Sequence, residues 1–236
     1  MTSSSSIVRS LLIILLASPS MEPLRAFQSD SLLTKSEAIQ RLDELEPKPN
    51  EFQFHPPQSW TSNLVSGAAI TFASEGEERD SAKKLIDNIP YTTWQSNTYD
   101  PRPEVVIDLG RQVEFNRIVV FNRCTKQRGT AGGNNATKLL RISVSKVASG
   151  TYDSLGTYTL RGPKGVCFKL KGGGQICSFI DDPEPNIITV ALTKARFVKL
   201  SFQEAFWGEI ALKEWKTSVA LSEFMLYYAN DAVKPK

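Results

Sequence analysis

The stretch LIDNIPYTTWQS, residues 85–96, sets a single carboxylate, Asp87, among groups that offer mostly oxygens, just before a large aromatic, Trp94. It contains no obvious nucleophile or base. An aspartate in such company suits two jobs. It can hold a turn by accepting backbone N–H groups, or it can be one ligand of a hard cation that also takes backbone carbonyls. Trp94 reads as a core residue at a strand start. A second acidic group, Asp181, Asp182 and Glu184, lies in FIDDPEPN. Paired carboxylates can cleave glycosides, but a polar loop interrupted by prolines is the simpler account of these three. The one histidine, His55, sits in a Pro-rich stretch, which removes most His-based catalysis and most zinc sites. No Ser/His/Asp or Cys/His arrangement follows, and the expectation is a protein that is not an enzyme.

The bulk properties narrow the partners. The chain has 236 residues, with 28 Lys and Arg against 25 Asp and Glu, a net charge of +3. With no block of basic residues, nucleic-acid binding by general electrostatics is excluded as an expectation. Arg9 precedes the apolar run Leu11–Ala17, and Ser18, Pro19 and Ser20 follow. This is the pattern of a secretory signal peptide over residues 1–20, with a run too short to span a bilayer. The expected location is therefore secreted or extracytoplasmic, where disulfides persist. The cysteines are Cys124, Cys167 and Cys177. Cys167 and Cys177 flank a Gly-rich segment able to fold back as a hairpin and are the favoured pair, although counting alone leaves the pairing open.

Elements must position these groups. Thr34 and Glu37 have capping-box spacing, and Ala38, Ile39, Leu42 and Leu45 recur at helical spacing until Pro47. One amphipathic helix is expected over 35–46, and a Pro-rich extended linker then runs to residue 60. Such a helix packs on its own domain or offers a face to a partner protein. From about Thr61 to residue 230 the texture is short strands between turns: AAITFAS, EVVIDLG, RIVVFN, LLRISVS, GTYTL, VCFKL, IITVAL, ARFVKLSF and SEFMLYY. They are rich in β-branched and aromatic residues, which predicts an antiparallel sandwich or jelly roll. Residues 231–236 are a short tail. Long polar loops at 124–138 and 171–186 are where binding usually sits on such a scaffold.

The order of these segments, from NLVSGAAITFASE through AKKLIDNIPYTTWQS, EVVIDLG and FNRIVVFNR to ARFVKLSF and LSEFMLYY, resembles the discoidin family, also called the coagulation factor 5/8 type C domain. It is also similar to galactose-binding-like carbohydrate-binding modules. The resemblance covers about residues 61–230 and implies an all-β fold, an eight-stranded antiparallel β-sandwich jelly roll. It implies a structural calcium held by the carbonyls of Lys84 and Ile89, by Asp87 and Thr92, and by Ser222 and Glu223. It implies recognition of a galactose-like glycan or glycoprotein, without catalysis, by Arg123, Asn134 and Asn135, with Phe206, Trp207 or Trp215 stacking on a sugar face. The rival implication is a protein–protein adhesion or scaffold domain without a sugar site.

Several positions depart from the family pattern. Asn88 stands where Gly is usual, and Asn tolerates the same left-handed backbone. Ser96 and Thr125 replace the residues that mark fucose-binding relatives. Glu204 and Glu209 flank EAFWGE, which disfavours an anionic membrane. Asn135, Ala136 and Thr137 form a glycosylation sequon.

Overall fold

The computed structural model describes residues 32–74, 79–97, 100–123, 134–206 and 218–230. The expected signal peptide, the tail, Cys124, Trp207, Glu209 and Trp215 lie outside these residues. Helix α1 (Lys35–Leu45) begins where the capping box requires. Thr34 Oγ1 accepts the Glu37 N–H at 3.2 Å, and Glu37 Oε2 accepts the Thr34 N–H at 2.7 Å. Only Ala38 and Leu42 of the expected apolar face are buried; Ile39 and Leu45 stay exposed.

Ten strands follow: β1 (Ala69–Ala73), β2 (Trp94–Gln95), β3 (Glu104–Phe121), β4 (Thr137–Ser145), β5 (Asp153–Thr159), β6 (Lys164–Lys169), β7 (Gln175–Ile180), β8 (Asn186–Ala205), β9 (Ala220–Leu221) and β10 (Glu223–Tyr227). All the pairings between them are antiparallel. The fold is an all-β antiparallel sandwich, with β2, β7 and β9 added to the strands legible in the sequence.

Two of these strands are longer than the sequence suggests. EVVIDLG and RIVVFN are one strand, β3, and IITVAL and ARFVKLSF are one strand, β8. Register slips between Asp108 and Val113 and between Phe115 and Arg117 bend the pair, as bulges do. Gly110 has φ +75° at that bend, a conformation that favours glycine. The first part of β3 pairs with β1, its later part with β10, and β8 runs beside both. The sheet order is β1-β3-β8-β4-β5, with β10 on the far part of β3. Ile107, Phe115, Ile118, Leu140, Leu200 and Phe224, drawn from both parts, are fully buried in one core. Trp94 is also fully buried there, its ring 4.8 Å from that of Phe202.

The segment before the sandwich is packed onto it. A 3-10 turn, Pro49–Glu51, leads into Phe52, which is 3% exposed. Phe52, with Phe54 and Trp60, covers Val119, Phe121, Met225 and Tyr227 on the outer face of β3 and β10. That second covering layer is why RIVVF reads as an unbroken apolar run: Ile118 and Val120 enter the main core, and their neighbours meet Phe52. Trp60 forms an antiparallel bridge with Ala229, and the Thr61 N–H donates to the Tyr228 carbonyl at 2.9 Å.

Strands β6 and β7 form a separate hairpin. Cys167 lies opposite Cys177 in its register and the two are disulfide-bonded, with Cα atoms 4.1 Å apart. Its apolar side, Val166 and Phe168, closes a small core with Leu33, Ala38 and Leu42. Helix α1 thus spends its apolar face on this narrow ribbon, which has room for only part of the stripe read from the sequence.

Candidate functional site

Four of the six expected cation ligands lie between β1 and β2, Lys84 in a 3-10 helix (Arg79–Leu85) and Asp87, Ile89 and Thr92 in the turn after it; Ser222 immediately precedes β10 and Glu223 opens it. Asn88 has φ 60°, the left-handed conformation that Asn accepts at the usual glycine position. Asp87 Oδ1 accepts the Ile89 N–H at 2.8 Å, and Asp87 Oδ2 accepts the Thr92 hydroxyl at 2.9 Å. The same hydroxyl lies 3.1 Å from the Ile89 carbonyl and 3.5 Å from the Lys84 carbonyl. One hydroxyl has one proton to give, so this pocket holds more acceptor oxygens than hydrogens to satisfy them.

The β10 half closes the pocket. Ser222 and Glu223 are fully buried. Glu223 Oε2 accepts the Ile89 N–H at 3.0 Å, which joins residues 134 apart in the chain. Its other oxygen, Oε1, has no hydrogen-bond partner. Burial first, and the adjacent Asp87 carboxylate second, push the Glu223 carboxyl up to about 9. Burial and then the charge of Glu223 raise Tyr227 to about 12. Asp87 therefore holds the turn through the Ile89 N–H, the first of its two expected jobs, and also faces a second carboxyl group. The donor set is oxygen only, two carboxylates with carbonyls and hydroxyls, the chemistry that suits a hard cation.

The expected sugar contacts occupy a neighbouring region with a different character. Arg123 is 7% exposed. Its Nε donates to Asp181 Oδ2 at 3.0 Å, and Nη1 donates to the Tyr91 carbonyl. Its guanidinium carbon lies 4.0 Å from the Tyr91 ring centre and 4.8 Å from that of Phe52. Asn134 is buried, with Oδ1 accepting the Ala136 N–H at 3.0 Å, and the Asn135 amide donates to Ser218 Oγ at 3.2 Å. A glycan on Asn135 would have to displace that packing. Phe206 lies against Gly162, where an added Cβ would meet its ring at 2.5 Å.

The structure thus brings Arg123, Asn134 and Asn135 to one end of the sandwich but engages them in holding it together. Asp181, from the acidic loop, is the partner of Arg123, while Asp182 faces Lys164 at 3.9 Å. Sequence reading missed Tyr91 and Phe52. Tyr91 is 38% exposed and keeps its ring on Arg123; its position three residues before Trp94 was the available signal.

No protein-family model matches the sequence, and no curated protein is significantly similar to it. Solved structures are similar at low identity. A CBM32 module from a family 31 glycoside hydrolase of Clostridium perfringens is 16% identical, with a TM-score of 0.48 over 70% of this chain and 97% of that one. A chitosan-binding module from a Paenibacillus chitosanase/glucanase is 19% identical, with a TM-score of 0.46 over 71% of this chain and 99% of the module. A Ruminococcus gnavus GH29 fucosidase, solved with fucose, is 15% identical at a TM-score of 0.46 over 72% of this chain. This chain spans only 27% of that fucosidase. The first two of these similar structures are carbohydrate-binding modules, and the sandwich assignment itself stands on the strand pairing described above.

Proposed function

We propose that this chain is a secreted, non-catalytic glycan-recognition domain whose fold is closed by a structural calcium ion. The observation that carries the reading is the meeting of Lys84, Asp87, Ile89 and Thr92 with Ser222 and Glu223, with a fully buried carboxylate oxygen left without a hydrogen-bond partner. These are the six positions that the discoidin resemblance implies. A bound calcium supplies positive charge that turns two repelling carboxyl groups into ligands. The residues themselves join the first turn of the domain to its last strand. Secretion is supported by the leader-like residues 1–20 and by the Cys167–Cys177 disulfide.

A galactose-like glycan is the proposed ligand at the Arg123 end. There Arg123 acts as a positioning residue for Tyr91, and Tyr91 offers its exposed edge and ring to a sugar C–H face. The burial of Arg123, Asn134 and Asn135 favours one rival, a protein–protein adhesion domain with no sugar site at this end. A glycan array with the purified domain separates the two. The expected result is binding to galactose-terminated glycans that Tyr91→Ala removes while circular dichroism shows the domain still folded. Binding to no glycan, or binding indifferent to Tyr91→Ala, selects the adhesion reading.

A further inference from the structure

A second polar surface lies on the open face of the main sheet, away from the Arg123 end. The face is set by register. Leu140, Ile142 and Leu200 point into the core, so the alternating residues Arg141, Ser143, Lys199 and Ser201 lie on the opposite face, with Arg141 exposed, Lys199 and Ser201 half-buried and Ser143 covered. Arg141 pairs with Ser201, Ser143 with Lys199, and Ser201 with Glu104, which places these side chains in adjacent rows across β4, β8 and β3. With Arg102 and Tyr152 at its sides they line a groove of about 440 Å³, within the range of small-ligand sites.

The charges in the groove do not cancel. Glu104 is answered locally: its Oε1 accepts the Ser201 hydroxyl at 2.7 Å and lies 3.5 Å from Lys199 Nζ. Lys199 also lies 5.1 Å above the Tyr152 ring. Arg102 and Arg141, by contrast, have no side-chain ion-pair partner among the described residues. Two planar guanidinium forks facing a groove match an oxyanion such as carboxylate or sulfate. Serine hydroxyls and a neighbouring aromatic wall match the hydroxyls and C–H faces of a sugar.

We propose that this groove binds an acidic oligosaccharide, with Arg102 and Arg141 engaging its carboxylate or sulfate groups and Tyr152 its ring. The assignment goes beyond the Arg123 end and does not depend on a sugar being bound there. Calorimetric titration of the full chain with oligogalacturonate, with a sulfated oligosaccharide and with neutral galacto-oligosaccharide tests it. Expected is binding of at least one acidic ligand that weakens with salt, falls about tenfold or more in Arg102→Gln/Arg141→Gln, and falls in Tyr152→Ala. That scale corresponds to losing one or two charge-assisted hydrogen bonds. Tyr91→Ala leaves this binding unchanged, which separates failure of this groove from failure at the Arg123 end. Preference between the two acidic arms identifies carboxylate or sulfate as the group recognised. No binding of either acidic ligand, binding of the neutral ligand as tight as that of the acidic ones in Tyr91→Ala, or binding unaffected by the double substitution overturns the proposal. Both arginines are exposed, so the double variant is expected to fold, and its melting temperature serves as the control.

Discussion

Arginine appears in two settings in this sandwich, and the contrast shows what burial does to a charge. Arg123 is enclosed at one end by Asp181, the Tyr91 carbonyl and two aromatic rings. Arg141 stands on the open face of the sheet and, among the described residues, has no ion-pair partner. Arg123 follows Asn122 just after a strand and Arg141 follows Leu140 within one, and nothing local in the sequence tells the two settings apart. Burying a guanidinium requires partners for its N–H groups, and in the first arginine Asp181 and the Tyr91 carbonyl take two of them while the two rings cover it. The second keeps its capacity for something from outside.

The largest expected effect tests the enclosed member. Arg123→Ala leaves Asp181 as a buried carboxylate without its guanidinium and is expected to cost about 3–5 kcal/mol, read by urea unfolding. Arg141→Gln on the same assay is expected to change stability by about 0.5 kcal/mol or less. Equal effects would erase the distinction between the two settings.

The next effect extends the contrast to an acid. Glu223 is fully buried, and its carboxyl is pushed from an ordinary 4.5 to about 9. In chelator the folded protein keeps a proton there that the unfolded chain releases. Stability is therefore full below the ordinary value and falls as pH rises through 4.5 towards 9. Calcium requires the carboxylate instead, so its stabilisation grows with pH. At one hundred times its dissociation constant it adds about 2.7 kcal/mol, and Glu223→Gln removes most of that gain. Thermal melts across pH with and without calcium check both signs. A melting temperature that rises with pH in chelator, or one indifferent to calcium, contradicts the proposed ion.

The smallest effect belongs to a half-buried pair on the surface. Arg196 meets Asp108 through two bonds of 2.8 and 2.9 Å, and the hydrogen bond from Arg196 leads the lowering of the Asp108 carboxyl. The lowering means that this contribution is present above the usual carboxylate range and is lost as pH falls through the lowered value. Solvent screens the pair, so Asp108→Asn is expected to shift the melting curve less than either substitution above. A shift as large as that of Arg123→Ala would show that burial is not what separates them.

The strands were legible because alternation and β-branched content are local signals, and Val105 and Ile107 or Leu140 and Ile142 announce their own face. The capping box of α1 was legible for the same reason. The merging of strands into β3 and β8 was not, since continuity across a bend depends on neighbours far along the chain. The clip residues were named through the discoidin resemblance, and their convergence follows from β10 pairing beside β3. The enclosure of Arg123 was hidden because its closers, Phe52, Tyr91 and Asp181, come from three distant segments. The groove was hidden for a similar reason: Arg141, Ser201 and Glu104 become neighbours only through register, which no local pattern of charges reveals.

The bridge between Trp60 and Ala229 places the chain's way into the sandwich beside its way out. Because the two segments run antiparallel, Ser59 and Asn230 lie on the same side of the bridge, and the Asn230 N–H donates to the Ser59 carbonyl at 3.3 Å. A domain built this way can be spliced into a surface loop of another protein without forcing the host's two halves apart.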